Sequence, residues 1–443
     1  MNKADLISKY RDYVRNNLSP TQAEQTLVSR IYAEISSALR SNCLLIGSYA
    51  RFTAGRPLHD LDVLFIAGKF DPHHLSPQSV LTSLRSTLER SFKNPTSYRI
   101  TISEQSHSIT ISFLDGSDER FAVDIVPAFT SGARNEFGDD IYWVPEIVMV
   151  GIHKRRALYE QLAKAKKSEI EWWLKSDPRG YIRATTELNS KNPDFRKGAK
   201  FIKKWKHNCC TAYKDFKLKS FHVEQVLFEI YSRNPSIDIA DAVFEFFCTI
   251  PQVIARPQIR DRADQTKFID QYLADLSDAE KQKIIEARDF FLIKLEYLPE
   301  NPNIADLLSA GIHRRASAAE KYLFDSKTPV FLQPGKQLAI IGNVEPRTGG
   351  FRAFILDTLG IINVDRKIRF RATPASTLDY DLLKWKVKND NNSPEPRGEI
   401  TDHTTRNDPE STRYRGSHFV ECYAIDGGIC VARARQAVVL RSA

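Results

Sequence analysis

Three aspartates and a Gly-Ser pair are the residues whose types and spacing could do chemistry together. Asp60 and Asp62 stand two apart at the start of an apolar run, and side chains two apart on a strand project from the same face. Asp124 is a lone acid within the apolar segment 121–127. A buried carboxylate is unfavourable unless it is paired or bound to a metal. The acids therefore predict a divalent-cation site, with a solvent-facing strand that carries incidental charges as the alternative.

The ligand preferences of Mg²⁺ indicate the chemistry of such a site. Magnesium takes hard oxygen ligands, usually one or two carboxylates together with phosphate oxygens. Three acids can hold two Mg²⁺ ions that activate an attacking oxygen and stabilise a leaving pyrophosphate. Gly47 and Ser48 precede Asp60 by about a dozen residues. Glycine lets the backbone approach an anion, and backbone amides with the serine hydroxyl can hold a terminal phosphate at a helix start. A Gly-Ser pair alone is most often a turn, so the combination with the acids carries the prediction.

The elements around these residues predict an α+β fold with a mixed sheet. Ser19 followed by Pro20 and Gln22 predicts the start of a helix, with Ser19 as its cap. Apolar residues at four-residue spacing from Leu27 to Leu39 then mark one face of that helix. Alternating or apolar runs predict strands at 43–46, 61–66, 98–102, 107–113 and 120–126, with a hairpin turn at 115–116.

The rest of the chain divides into a helical part and a β-rich part. Residues 145–322 favour helix, with amphipathic segments at 195–205, 221–231 and 277–296 and a loop at 251–266. Proline and glycine mark a domain boundary in the stretch 326–335. After it, strands are predicted at 367–372, 382–387, 417–425 and 428–434, which indicates a small β-rich domain.

Composition excludes several classes of protein. The chain has 443 residues, of which 42% are hydrophobic and 27% charged, as in ordinary globular proteins. No apolar stretch is long enough to span a membrane, and the first residues do not resemble a secretory signal. The six cysteines contain no CxxC pair, which is typical of reduced thiols. We therefore expect a cytoplasmic protein with no membrane partner. The net charge of +9 favours a polyanionic partner without specifying which.

The motif order resembles a known enzyme signature. An apolar residue, Gly-Ser, a spacer of about a dozen residues and then Asp-apolar-Asp-apolar is similar to the polymerase-β-type nucleotidyltransferases. More narrowly, the segment 47–53 leading to 60–63 resembles the CD-NTases of anti-phage CBASS systems, bacterial enzymes similar to cyclic GMP-AMP synthase and oligoadenylate synthase. The resemblance implies a polymerase-β-like core, catalytic and metal-binding roles for Asp60, Asp62 and Asp124, and a second, helical lobe. It implies that the nucleotide-binding residues are Gly47, Ser48, Arg51, Lys203, Ser220 and Phe221.

Two helical segments support the resemblance. The basic segment 196–206 interleaves lysines with aromatics, and in the family a lysine on such a helix reaches the triphosphate; Lys203 matches it best. The segment 219–224 resembles the family's Lys-Ser-aromatic-His-x-Glu stretch, in which the serine touches phosphate and the aromatic stacks on the base. The alternatives are a solvated lysine face and a core position for Phe221. His222 and Glu224 are interpreted as structural.

The last part of the chain resembles a second family. Residues 383–389, 397–398 and 414–423 are similar in order and type to the AGS-C sensor domain found with adenylyl/guanylyl cyclases and SMODS nucleotidyltransferases. That resemblance implies a ligand or regulatory sensor. We therefore predict a catalytic core at 1–150, a helical lobe completing the NTP site at 151–325 and an AGS-C-like domain at 326–443.

Together these features predict a nucleotidyltransferase that condenses NTPs (ATP, GTP or others) into a cyclic oligonucleotide messenger. Its cofactor would be two Mg²⁺ ions, with Mn²⁺ as a substitute. Its partners would be an activator sensed by the C-terminal domain and an effector protein activated by the product. Two alternatives stay open, namely an NTP transferase that acts on an RNA end or another acceptor, and a non-catalytic nucleotide sensor.

Overall fold

The computed structural model describes residues 2–40, 43–149, 169–346, 354–374 and 378–441. The chain forms two compact units. The N-terminal unit is Tyr10–Ile284, and the C-terminal unit combines residues 1–9 with 285–443. The predicted boundary at residues 150 and 151 lies outside the described residues, and the three-domain division stays a prediction.

The described residues form α-helices and β-strands with the following bounds, in chain order. The α-helices are α1 Lys3–Tyr13, α2 Gln22–Ala38, α3 Gly47–Ala50, α4 Pro77–Ser91, α5 Pro178–Lys191, α6 Asp194–Ala212, α7 Ser220–Arg233, α8 Ile239–Val253, α9 Asp278–Glu296, α10 Ile304–Leu307 and α11 Leu356–Leu359. The strands are β1 Cys43–Ile46, β2 Asp60–Gly68, β3 Arg99–Glu104, β4 Ile109–Asp115, β5 Asp118–Arg134, β6 Asp140–Met149, β7 Glu169–Ser176, β8 Leu338–Val344, β9 Phe354–Ile355, β10 Ile361–Asn363, β11 Arg366–Pro374, β12 Leu382–Lys388, β13 Ile400–Asp402, β14 Glu410–Thr412, β15 Gly416–Asp426 and β16 Ile429–Arg441. A π-helical turn at Val14–Leu18 and 3₁₀ turns at Gln271–Asp275 and Leu323–Ser326 complete the set. None of the described helices is long and apolar enough to cross a lipid bilayer.

The N-terminal unit is built on a seven-stranded sheet. Its order is β1-β2-β5-β4-β3, with β6 paired to β5 and β7 paired to β6. Strands β2 and β5 run parallel and the other pairs are antiparallel, so the predicted α+β class with a mixed sheet is confirmed. Helices α2 and α4 cover one face, where Ile31, Ile35 and Leu84 pack with Leu61 and Val63 of β2. That core leaves the alternate side chains of β2 on the opposite face.

The start of α2 differs from the prediction. Thr21, not Ser19, caps the helix: its Oγ1 accepts from the Glu24 amide at 3.2 Å, and the Glu24 carboxylate accepts from the Thr21 amide at 2.7 Å. This reciprocal pair is a capping box. Ser19 instead donates its hydroxyl to Val14 O at 3.2 Å and closes the preceding turn. Ser19 with Gln22 and Thr21 with Glu24 are overlapping capping patterns. The pattern that ends in glutamate formed the capping box.

Residues 145–149 and 169–176 are strands, so the prediction of helix from residue 145 is wrong there. Strands β6 and β7 pair along eight positions and extend the sheet beyond β5. Trp173 is 6% exposed and packs edge-on against Phe129, with ring centroids 5.4 Å apart. Its indole Nε1 donates to Leu75 O at 3.1 Å. Aromatic residues on a half-buried surface favour strand pairing, and this tertiary contact outweighs local helix propensity.

Helices α5–α8 form the second lobe of the N-terminal unit. The predicted helices at 195–205 and 221–231 are confirmed and belong to α6 and α7. Trp205 is 1% exposed, and its ring meets Phe247 of α8 edge-on at 4.7 Å. Because Trp205 points into the core of this lobe, the lysines beside it on α6 are less deeply buried. Lys203, Lys204 and Lys206 are each partly buried.

The C-terminal unit contains two packed sheets. One has the order β10-β16-β15-β12-β13 and the other β14-β11-β8-β9. Ile368 and Phe370 of one sheet share a core with Trp385 and Val420 of the other. A second cluster joins Leu323, from the 3₁₀ turn, to Tyr423, Ile425 and Cys430. The predicted β-rich character of this region is therefore confirmed.

Candidate functional site

Asp60, Asp62 and Asp124 lie on two neighbouring parallel strands. Asp62 of β2 stands in register with Asp124 of β5, and Asp60 stands opposite Ala122. The intervening Leu61 is fully buried in the core. The three aspartates therefore share the face of the sheet opposite that core. The spacing predicted this for Asp60 and Asp62, and the strand register adds Asp124.

Burial and mutual repulsion set the electrostatics of these acids. Desolvation, followed by the charge of Asp124, raises the pKa of Asp60 and that of Asp62 above the ordinary value for aspartate. The cations Arg51 and Lys203 oppose the rise at Asp62. Both aspartates thus sit where the charged form is unfavourable, and added positive charge would stabilise it.

The carboxylates fit a divalent cation by their donor chemistry. Thr110 of β4 donates its hydroxyl to Asp124 Oδ1, which turns that carboxylate toward the neighbouring strand. Within the described ranges, no three His, Cys, Asp or Glu side chains are grouped closely enough to hold an ion as they stand. Like charges at adjacent positions repel, which opposes their convergence. The donor set offers only hard oxygen atoms on adjacent strands, which is the set that Mg²⁺ and Mn²⁺ accept.

The backbone of Gly47 lies directly against the Asp62 carboxylate. Ile46, at the end of β1, is in register with Asp62, so the next residue crosses directly over that side chain. A Cβ on Gly47 would overlap the Asp62 carboxylate and come within 2.8 Å of its Cβ. Gly47 also has a φ of +66°, a region that L-residues with side chains rarely adopt. Only glycine satisfies both conditions at this position.

Ser48 follows Gly47 in a tight turn. Its carbonyl oxygen accepts from the amides of Thr53 and Ala54 at 2.9 and 3.0 Å. These bonds fold the segment 48–54 back on itself directly after Gly47. The role of Gly47 and Ser48 in holding a terminal phosphate stays a prediction.

The Glu224 carboxylate of α7 contacts Arg51, Lys203 and the segment 48–54, and we call this group of contacts the Glu224 hub. The fully buried carboxylate accepts from Arg51 Nε, from Thr53 Oγ1 at 2.7 Å and from Lys203 Nζ at 3.4 Å. Lys203 Nζ also donates to Thr53 O at 3.1 Å. Burial alone would raise the pKa of Glu224, but the two cations and these bonds lower it to about 2. Desolvation lowers the pKa of Lys203, and Glu224 opposes that change.

The sequence signal for this hub was weak. A single glutamate on an otherwise apolar helix face indicates a buried pair, but it does not identify the partner. Because Arg51 lies 173 residues away along the chain, only the folded structure reveals the contact. The interpretation of Glu224 as structural fits its burial and leaves out its electrostatic effect on the site.

Phe221 and Ser220, at the start of α7, lie beside the same cations. The Phe221 ring is half-buried between the Arg51 guanidinium, 5.0 Å from its centroid, and the Tyr181 ring at 5.0 Å. Lys206 Nζ donates to Ser220 Oγ at 3.3 Å. Lys206 also lowers the pKa of Asp60, opposing the larger effect of burial. Lys206, which sequence analysis did not single out, therefore lies between the acids and α7.

The comparisons with known proteins bear mainly on the C-terminal unit. Residues 321–441 match the adenylyl/guanylyl and SMODS C-terminal sensor domain. The predicted AGS-C resemblance is confirmed. We call residues 321–441 the AGS-C-like domain below. A search of curated proteins finds no significant match.

Solved structures of low identity also resemble the chain. CdnC of E. coli MS115-1 in complex with HORMA-deltaN is 16% identical with a TM-score of 0.46, and covers 66% of this chain and 92% of its own. CdnC of the same strain with ATP is 15% identical with the same TM-score and coverage. The CdnE cyclic dinucleotide synthase of Elizabethkingia meningoseptica with GTP and Apcpp is 14% identical with a TM-score of 0.42, and covers 67% of this chain and all of its own. At these scores the similarities assign no activity to this chain.

Proposed function

We propose that this protein is a magnesium-dependent nucleotidyltransferase that condenses NTPs into a cyclic oligonucleotide second messenger in bacterial anti-phage defence. The observation that carries the proposal is the placement of Gly47 directly over Asp62, beside Asp60 and Asp124. A Gly-Ser turn that meets carboxylates on adjacent strands suits the transfer of a nucleotide from its triphosphate. The AGS-C-like domain adds support, because that family is described as C-terminal to SMODS proteins.

The chain's own residues would bind and orient the triphosphate. The Ser48 hydroxyl and the backbone of the Gly47–Ser48 turn would hold its terminal phosphate. Lys203 and Lys206 supply positive charge toward the aspartates and toward Ser220. Charge-assisted contacts of this kind are stronger than neutral ones.

Asp60, Asp62 and Asp124 would hold the two Mg²⁺ ions, or Mn²⁺ in their place. When bound, such ions polarise phosphoryl oxygens and lower the pKa of an attacking hydroxyl. The raised pKa values of Asp60 and Asp62 are consistent with this role, because a cation offsets the desolvation that raises them.

Arg51 and Phe221 would form the side of the site that faces the base. The guanidinium of Arg51 is fixed by Glu224 and lies over the Phe221 ring, so the aromatic ring is held rigidly. A half-buried ring of this kind can stack on a base of any identity. Phe221 would therefore position the nucleotide without selecting it.

Mass spectrometry of the products tests the proposal. The purified protein would be incubated with all four NTPs and Mg²⁺ or Mn²⁺, and the products treated with phosphatase. We expect a phosphatase-resistant cyclic product from the parent protein. Asp62→Asn should lower turnover by more than tenfold, equivalent to about 1.4 kcal/mol of barrier. The matched control Asp118→Asn, at an exposed position at the start of β5, should leave turnover unchanged.

Two outcomes of the same assay would contradict the proposal. Product that forms only when RNA or another acceptor is added would replace cyclisation by transfer to that acceptor. NTP binding without any product from the folded parent protein would indicate a non-catalytic nucleotide sensor.

A further inference from the structure

A cavity of about 300 Å³ opens between the two sheets of the AGS-C-like domain. Its floor is formed by apolar side chains of both sheets, Ile368 and Phe370 from one and Val420 and Val438 from the other. Each of them is less than a tenth exposed. The cavity therefore reaches from the surface down to the hydrophobic core of this domain.

One wall of the cavity is a fixed ion cluster. Arg397 donates from Nη1 and Nη2 to the Glu410 carboxylate at 2.7 and 3.2 Å, and from Nε to Glu399 at 2.8 Å. The Asn407 amide donates to Glu410 Oε1 at 3.1 Å. These groups satisfy one another. One arginine against two glutamates leaves a net charge of −1, which Arg406 offsets from 3.7 Å. The wall is therefore rigid and contributes little net charge to the cavity.

The exposed charged residues at the mouth are Arg406, Arg413 and Glu395. Arg413 lines the cavity and is exposed, and within the described part of the chain its guanidinium has no hydrogen bond and no ion pair. Arg406 also lines the cavity and is 3.7 Å from Glu399, with 63% of its side chain exposed. The contrast with Arg397 identifies the mouth as the part of the cavity with guanidinium donors available to a ligand.

We propose that this cavity binds a small organic anion, with a flat apolar body on the floor and a phosphate or carboxylate at Arg413. The volume is at the lower end of the range for ligand pockets, about 300–1,000 Å³, so one small molecule fits and a peptide or oligonucleotide does not. A planar guanidinium matches phosphate and carboxylate geometry in a bidentate way. The inference concerns binding only and does not depend on the proposed transferase activity.

Fluorescence titration of the full-length protein with anilinonaphthalene sulfonate tests the site. This probe combines a flat apolar body with an anionic group. Arg413→Ala should weaken its binding by about tenfold, equivalent to about 1.4 kcal/mol. Arg415→Ala, an exposed arginine two residues away that does not line the cavity, is the matched control and should bind like the parent. Ser411→Trp, at an exposed lining position on β14, should close the mouth and remove the saturable site.

Displacement of the probe distinguishes the two sources of the anion. Adenosine monophosphate and indoleacetate represent a nucleotide and an aromatic carboxylate, and adenosine and indole are their neutral counterparts. Displacement by either anion, but not by its neutral counterpart, supports the proposal and identifies the source. The proposal is overturned if Arg413→Ala and Ser411→Trp bind the probe as the Arg415→Ala control does. It is also overturned if the neutral compounds compete as well as the anions, or if neither anion competes.

Discussion

Replacing Gly47 by alanine tests whether the Asp62 carboxylate depends on the glycine above it. The new Cβ would overlap that carboxylate and displace it, and alanine at a φ of +66° is strained by about 1–2 kcal/mol. A displacement of about 1 Å at a reacting centre lowers turnover by about a hundredfold. We therefore expect Gly47→Ala to remain folded, with stability lower by about 1–2 kcal/mol, and to lose about a hundredfold in product formation. Turnover of labelled NTPs and urea unfolding measure the two effects separately.

Gly116 provides the matched control. It has nearly the same φ, +64°, in the hairpin turn between β4 and β5, and a Cβ there would meet no atom within 4 Å. Gly116→Ala should therefore show the same strain with normal turnover. Normal turnover in Gly47→Ala, or an equal loss in both variants, would refute the argument that contact with Asp62 matters.

Three further predictions concern the charges around the site. Glu224→Gln should destabilise the protein by about 3 kcal/mol at pH 7, because the folded pKa of about 2 lies below the ordinary 4.5. That stability is present above pH 4.5 and is lost as the pH falls toward 2, so urea unfolding of parent and variant should converge there. Lys203→Ala should raise the KM for NTP by tenfold or more while the control Lys204→Ala does not; equal KM values would exclude Lys203 from phosphate binding. Magnesium with NTP should raise the Tm of the parent and raise that of Asp124→Asn less; an unchanged shift would remove Asp124 from the site.

The sequence predicted the parts of the site that depend on local spacing. Asp60 and Asp62 share a face because a strand alternates its side chains, and that rule needs no tertiary information. The registration of Asp62 with Asp124 needed the parallel pairing of β2 with β5, which the sequence did not specify. The shared face of Asp60 and Asp62 was therefore predictable from spacing, and the pairing of Asp62 with Asp124 was not.

The features that sequence analysis missed depend on contacts between distant segments. Gly47 lies against Asp62 because the end of β1 is paired with that part of β2. Glu224 contacts the segment after β1 because α7 packs against it. The strands at 145–149 and 169–176 were mistaken for helix because their stability comes from sheet pairing and from the packing of Trp173, not from local propensity. Long-range pairing decided each of these cases.

The packing of Leu323 limits how the AGS-C-like domain can be transferred between proteins. This leucine is fully buried against Tyr423, Ile425 and Cys430, and Tyr297 donates to Glu421 Oε2 at 2.7 Å. A gene fusion that began at the proline-marked stretch after residue 326 would lose the leucine contact, worth about 1.5–3 kcal/mol. It would also lose one of the phenols that donate to the buried glutamate. A fusion that keeps both contacts has to begin before Tyr297, so the segment that can be transferred intact is longer than the strands of this domain.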